Sequence, residues 1–308
     1  MRCKNCKSPN IKKIVNLGKQ PISSHFYSKK KINLKNYSLD LYECKMCKLV
    51  QFKSLPKLDD MYGQNYGYRT SLSPLMINHM REKFNKISKL LSKKNISILD
   101  IGCNDGTFLN FFKDKKNINL FGIDPSAKKF QNYHNKKINL IIDYFSRKKI
   151  TDKFDKLKFD LITSFAMFYD IEDPNLFCRD IYNSLNKDGR WVLELSYFPL
   201  LLENLTYDQI CHEHVTYYSL TTFENVIKKN GLKIIDFELN NINGGSIEIT
   251  CAKKNSFLKP NTRKINNLKT QEKKINLDSY RDFNLRIENV KKNLNLFLDS
   301  NKGNVIGY

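Results

Sequence analysis

The run Ile98-Leu-Asp-Ile-Gly-Cys-Asn-Asp-Gly-Thr-Phe108 constrains this chain more than any other. It reads as a buried β-strand that passes into a turn with glycines at 102 and 106 and then into a helix. A second apolar run, Leu120-Phe-Gly-Ile123, stops at Asp124. Strand, glycine loop, helix, strand and terminal carboxylate together make the first half of a nucleotide-binding βαβ unit. Asp124 lies 18 residues after Gly106. At that distance a carboxylate is placed to accept hydrogen bonds from both hydroxyls of an adenosyl ribose.

Spacing separates the possible cofactors. A dinucleotide fingerprint needs G-x-G-x-x-G. Here the order is Asp100-x-Gly102-x-Asn104-x-Gly106, with an acid ahead of the first glycine. This order resembles motif I of class I S-adenosylmethionine (SAM) methyltransferases. SAM has no pyrophosphate, so the loop need not aim a helix N-terminus at phosphate. It must let the backbone approach the aminopropyl arm, which suits glycine. An ordinary βα turn would also hold two glycines, and the coupling to Asp124 is what favours SAM. On this reading Asp100, Gly102, Asn104, Gly106 and Asp124 hold the cofactor.

Strand and helix signals alternate beyond Asp124. Strands are expected at 138–142, 159–165 and 191–195, with a helix near 175–185 and a turn at Asp188-Gly189. Segments 231–237 and 246–251 close the sheet as an edge pair. Alternation of this kind predicts a doubly wound, Rossmann-like α/β sheet. Tyr144 and Phe145 follow the third strand, where methyltransferases of this fold flank adenine. Core packing of both rings is the competing reading.

Net charge is +22, which raises the question of nucleic acid. Lysine outnumbers arginine 44 to 9, whereas base and phosphate readout favours arginine. The lysines are scattered with Asn and Ile, so no specific nucleic-acid partner is expected, and some lysines would favour an anionic substrate. No apolar run reaches 18 residues, which argues against a spanning helix and a membrane partner. Met1-Arg-Cys-Lys-Asn-Cys6 lacks the apolar segment of a signal peptide, so a cytoplasmic enzyme is expected.

Four of the eight cysteines form two C-x-x-C pairs, Cys3/Cys6 and Cys44/Cys47. Two such knuckles make a tetrahedral S4 set suited to structural zinc. Disulfides are disfavoured in a cytosolic chain. The separation of the pairs requires a small β-rich insert between them. Cys103, Cys178, Cys211 and Cys251 are scattered and read mainly as small buried residues.

The Tyr- and Gly-rich segment 61–74 is either a hinge packed by its own rings or a lid that presents Tyr66 or Tyr68 to a ligand. An amphipathic helix follows, roughly 75–91, with Leu75, Met80, Phe84, Ile87 and Leu91 near helical spacing. Further on, His212 and His214 flank Glu213. They suit a structural pair, a metal pair, or a base with a carboxylate beside it.

The cysteine pairs, the Tyr-rich loop, Asp-Ile-Gly-Cys-Asn-Asp-Gly, Met167-Phe-Tyr-Asp-Ile-Glu-Asp-Pro174, Tyr207-Asp-Gln-Ile-Cys-His-Glu-His214 and Asn243-Gly-Gly-Ser246 occur in this order. That order resembles the nucleotide-sugar C-methyltransferases, which act on NDP-4-keto deoxyhexoses. The resemblance implies residues 1–70 as a zinc module with the Tyr-rich loop, 71–254 as the SAM domain, and 255–308 as a helix and the first strand of a truncated C-terminal domain. It also implies a nucleotide-sugar substrate. His214 would remove the proton beside the ketone, Glu213 would orient or polarise the site, and Tyr68 would stabilise the enolate that attacks the methyl group. Cys211 stands where studied members carry tyrosine, and Phe168-Tyr169 where some carry histidine. Two other readings remain: O- or N-transfer to another small metabolite, and a zinc-ribbon nucleic-acid binder on a non-catalytic methyltransferase fold.

Overall fold

The computed structural model describes residues 1–22, 35–56, 61, 67–91, 95–301, 303 and 305. Tyr66 and most of the expected final strand at 302–308 lie outside the described residues.

Near the N-terminus, β1 (Ile11–Gln20), β2 (Tyr37–Cys44) and β3 (Val50–Phe52) run antiparallel. The sheet does not end there. A fourth strand, β9 (Thr216–Tyr217), joins β3 from far along the chain. The small module is therefore completed by a piece of the body.

The central sheet holds β4 (Ile96–Ile101), β5 (Ile118–Ile123), β6 (Ile138–Ile141), β7 (Phe159–Phe165), β8 (Leu185–Ser196), β10 (Leu232–Asn240) and β11 (Ser246–Lys253). Their order is β10-β11-β8-β7-β4-β5-β6. β10 and β11 are antiparallel and form the edge pair, β11 also runs antiparallel to β8, and the remaining neighbours, β8 through β6, run parallel. Every residue of β4 is buried, as required of a central parallel strand covered on both faces. Leu99, Phe121, Ile162, Trp191 and Leu193 face one core and Ile98, Leu120, Leu161 and Val192 the other.

The first core is covered by α4 (Pro174–Ser184) and α6 (Leu220–Lys229) through Phe177, Cys178, Ile181, Phe223 and Val226. The second is covered by α1 (Pro74–Ser88) and α2 (Thr107–Asn110) through Met80, Ile87 and Phe108. Ser73 starts α1 by accepting from Met76 N–H, with Pro74 at the first helical position. Leu75, expected on the buried stripe, is exposed, and the buried face of α1 is made by His79, Met80, Lys83 and Ile87. Further α-helices among the described residues are α3 (Arg147–Phe154), α5 (Phe198–Glu203), α7 (Thr262–Glu272) and α8 (Leu277–Ser300).

The turn expected at Asp188-Gly189 falls inside β8. Leu185 pairs with Phe159 and Arg190 with Leu161, so residues 186–189 bulge out between two paired positions. A Cβ on Gly189 would lie 2.8 Å from the Phe159 carbonyl oxygen, so close backbone approach demands glycine there.

Candidate active site and cysteine centre

The direction of strand connection reverses between β4 and β7, which opens a crevice at their carboxyl ends. A cavity of 680 Å³ lies there. It is lined at one end by Asp100, Gly102, Asn104, Asp124 and Tyr144, and at the other by Tyr169, Asp170, Asp208, Cys211, Glu213 and His214, with Tyr68 also in its wall.

At the first end, Asp124 is buried and its carboxylate organises the loop. Oδ2 accepts from Asn104 N–H at 2.8 Å, and Oδ1 accepts from Ser126 N–H and Oγ–H at 2.6 Å each. Asp100 accepts from Thr163 Oγ–H at 2.6 Å, and burial pushes its carboxyl up to about 7. Gly102 has φ +75° and a Cβ there would lie 3.1 Å from Met167 Cγ. Gly106 does not line the cavity. It takes φ +76° as the residue before α2, where a Cβ would meet the His134 ring at 2.7 Å. Phe145 departs from its expected place beside a ligand. It packs edge-on against Phe177, 5.1 Å between centroids, at the margin of the core, whereas its neighbour Tyr144 is exposed and reaches the cavity.

A strap clasps this loop from outside. Thr70 N–H donates to Asn104 Oδ1 at 3.0 Å, Ser71 N–H to Asp105 Oδ2 at 2.9 Å, and Asn104 Nδ2 to the Tyr68 carbonyl at 3.2 Å. Arg69 lies over the Tyr133 ring at 4.4 Å. The strap therefore sets Tyr68 at the cavity wall with half of its surface exposed.

At the far end, His214 Nδ1 lies 2.8 Å from the Gln209 carbonyl oxygen, and its ring packs on Tyr169 with centroids 4.2 Å apart. Burial pushes its pKa down to about 4, against an opposing pull from Glu213. Cys211 borders the same space, and burial holds its thiol well above the usual range. His212 points away. Its Nε2 lies 3.3 Å from the Tyr37 carbonyl and its ring stacks on Phe52. The two histidines thus do not share a metal, and only His214 reaches the cavity.

Sequence reasoning missed one group. Glu194, on β8, lines the cavity and takes contacts from His79 Nε2 at 2.8 Å, Lys83 Nζ at 2.6 Å and Asn240 Nδ2 at 2.6 Å. Lys83 also meets Glu248 on β11 at 2.6 Å. His79 and Lys83 stand four apart on α1, and the two carboxylates interrupt Leu-Glu-Leu and Ile-Glu-Ile runs. A charge centred in a buried strand demands a partner, and that was the available signal.

The four cysteines of the two knuckles have all Sγ atoms within 4.8 Å of one another. Cys3 to Cys47 and Cys6 to Cys44 are each 3.5 Å. Each knuckle closes identically: Lys7 N–H donates to the Cys3 carbonyl and Lys48 N–H to the Cys44 carbonyl, both lysines at positive φ. Four converging thiol sulfurs fit tetrahedral zinc. Cys178 and Cys251 are buried in the core, and Cys103 is buried within the glycine loop, where it also lines the cavity.

The profile of the methyltransferase domain family matches residues 76–236. The chain belongs to that family. Two further profiles match this methyltransferase, a zinc binding domain over residues 3–62 and a C-methyltransferase C-terminal domain over residues 241–308. It is 24% identical over 220 residues to the C-methyltransferase NovU of Streptomyces niveus, covering 70% of this chain and 51% of that protein. It is 32% identical over 125 residues to the ubiquinone biosynthesis O-methyltransferase of Pelagibacter ubique, covering 39% and 51%. The chain spans about half the length of these curated relatives. Among solved structures, the plantazolicin methyltransferase BpumL in complex with SAH is similar at TM-score 0.46 and 18% identity, covering 58% of this chain and 84% of that one. The methyltransferase fold and the cavity's donor set fit SAM: a carboxylate at the end of β5, a Gly102 backbone at positive φ where a Cβ would crowd Met167, and acidic walls suited to a cationic cofactor. No described helix is long and apolar enough to cross a membrane.

Proposed function

We propose that this chain is a SAM-dependent C-methyltransferase that places a methyl group on the carbon beside the ketone of a nucleotide-linked 4-keto sugar. The observation that carries the reading is the hydrogen bond of His214 Nδ1 to the Gln209 carbonyl, in the wall of the same cavity that Gly102 and Asp124 line. A carbonyl only accepts, so Nδ1 bears the proton and Nε2 the lone pair. Held low by burial, the imidazole is neutral at physiological pH and ready to take a proton. Glu213 is buried in the same wall and raises the imidazole's proton affinity. Transfer to oxygen or nitrogen would need no base for a carbon-bound proton, so only C-methylation predicts exchange of the C–H beside a ketone.

Bound across Asp100, Gly102, Asn104 and Asp124, SAM supplies an electrophilic methyl group. His214 Nε2 takes the proton beside the ketone, and Tyr68 Oη–H donates to the enolate oxygen. Cys211 stands where the resembling family has a tyrosine. A protonated thiol is a weak donor, so this task falls to Tyr68. The cysteine centre is structural and lies outside the cavity.

The test is incubation with a panel of nucleotide 4-keto sugars in deuterated water, read by mass spectrometry. Wild type is expected to introduce deuterium beside the ketone, and His214→Ala to lose that exchange. A His214→Ala variant that still transfers methyl groups would move the reading to O- or N-methylation. Salt-steep nucleic-acid binding without SAM binding would support the zinc-ribbon reading instead.

A further inference from the structure

The cysteine module and the loop of His214 share a sheet. β3 starts three residues after Cys47, and β9 starts two residues after His214. Val50 pairs with Tyr217 and Gln51 with Thr216. Phe52 N–H extends the ladder by donating to the Val215 carbonyl at 3.1 Å. Downstream of the imidazole, then, consecutive residues 215–217 are held by the three residues of β3.

β3 is in turn held by the knuckles. Cys44 N–H donates to the Leu49 carbonyl at 2.9 Å. The Gln51 side chain reaches the other knuckle: Oε1 accepts from Lys4 N–H at 2.8 Å and Nε2 donates to the Arg2 carbonyl at 3.4 Å. Gln51 is buried, and its two ends join the Cys3/Cys6 turn to the strand that pairs with Thr216. Upstream of His214, the His212 ring stacks on Phe52 at 6.4 Å and 24°, and meets Tyr37 edge-on at 5.8 Å. Glu213 and His214 are therefore bracketed on both sides by contacts to the module. The SAM end of the cavity makes its own contacts, through the strap at 68–71, and none of the bonds named there comes from β3.

We propose that Gln51, Phe52 and His212 are positioning residues for His214, and that metal binding at Cys3, Cys6, Cys44 and Cys47 serves to fix the loop that carries the base. This inference rests on the reading of His214 as the base. The ladder is short, with two paired positions in β3 and β9, and short ladders are marginal without outside support. Zinc supplies that support at the far end of β3 by locking both turns that flank it. Removing the metal leaves the SAM end intact and loosens the acceptor end.

The test uses the full chain with zinc loaded or removed by a chelator, metal content being read with a colorimetric indicator. Amide hydrogen exchange is followed by mass spectrometry in peptides covering 209–218, with 96–110 as the internal reference, and SAM affinity is measured by calorimetry. Zinc removal is expected to speed exchange at 215–217 by on the order of tenfold, with the reference peptide and SAM affinity unchanged. Gln51→Ala is expected to give a smaller rise in the same peptide with zinc still bound. Phe52→Leu is expected to restore most of the protection that Phe52→Ala loses. Unchanged exchange at 215–217 after zinc removal overturns the proposal. So does loss of SAM binding together with zinc, which would make the module a general folding element. Should His214→Ala retain deuterium transfer to the sugar, the base assignment fails while the exchange result stands on its own.

Discussion

His79 Nε2 lies 2.8 Å from Glu194 Oε1, and this contact ties the first helix to a carboxylate in the cavity wall. Lys83 closes the same cluster from one turn further along α1, bridging Glu194 and Glu248. Removing the lysine leaves two buried carboxylates facing each other. Lys83→Met is therefore expected to destabilise the fold by about 3–5 kcal/mol, read as a lower denaturant midpoint with unchanged slope.

The cluster also sets an acid limit. Its neighbours hold Glu194 at about 2, below the ordinary value of 4.5, and Glu248 is lowered too. A carboxylate with a depressed folded pKa stabilises fully above its unfolded value and loses that contribution as pH falls toward the folded one. Stability measured by urea titration is expected to fall between pH 4.5 and 2, and the slope in this window should shrink in Glu194→Gln.

His214 predicts an unusual pH profile. Its pKa is about 4 rather than 6.5, so the base is neutral through the range in which an ordinary histidine would be half protonated. The rate of deuterium exchange on a 4-keto sugar is expected to show no loss from pH 7.5 to 5.5 that tracks this residue. An acidic limb centred near 6.5 would contradict the buried tautomer.

Asp100 predicts the opposite dependence for cofactor affinity. Its carboxyl is held at about 7, and a cation beside it favours the ionised form. SAM binding is expected to weaken as pH drops below 7 and to release protons there. Calorimetry at pH 6.5 in buffers of different ionisation enthalpy measures that release, and Asp100→Asn should abolish it.

Gly106 takes a left-handed conformation with no room for a methyl group against His134. Gly106→Ala is expected to lower stability by roughly 1–3 kcal/mol. His134→Ala in the same chain should recover the steric part and leave the backbone strain.

Much of the fold was legible because β4, β5 and β7 are short apolar runs bounded by turn residues, and the edge pair β10 and β11 reads the same way. The cysteine spacing likewise announced an S4 set. Three things were not legible. Phe145 and Tyr144 are adjacent aromatic residues, and nothing local tells which one turns to the core. Asp188-Gly189 reads as a turn because pairing partners are invisible, and only the register of β8 against Phe159 shows a bulge. The union of β3 with β9 joins residues more than 160 positions apart, and the Thr216-Tyr217 pair is too short to register as a strand. The roles assigned to His214, Glu213 and Tyr68 rest on the family order of motifs. Their placement around one cavity supports those roles.

The chain bears a large positive excess, yet no lysine or arginine is among the described residues that line its cavity. Charge there comes from Asp100, Asp124, Asp170, Glu172, Glu194, Asp208 and Glu213. A sulfonium donor enters such a space as a counter-ion, and giving up its methyl leaves a neutral thioether. The wall's attraction for the sulfonium is thus lost in the act of transfer, and that electrostatic contribution is expected to favour the fresh cofactor over the used one.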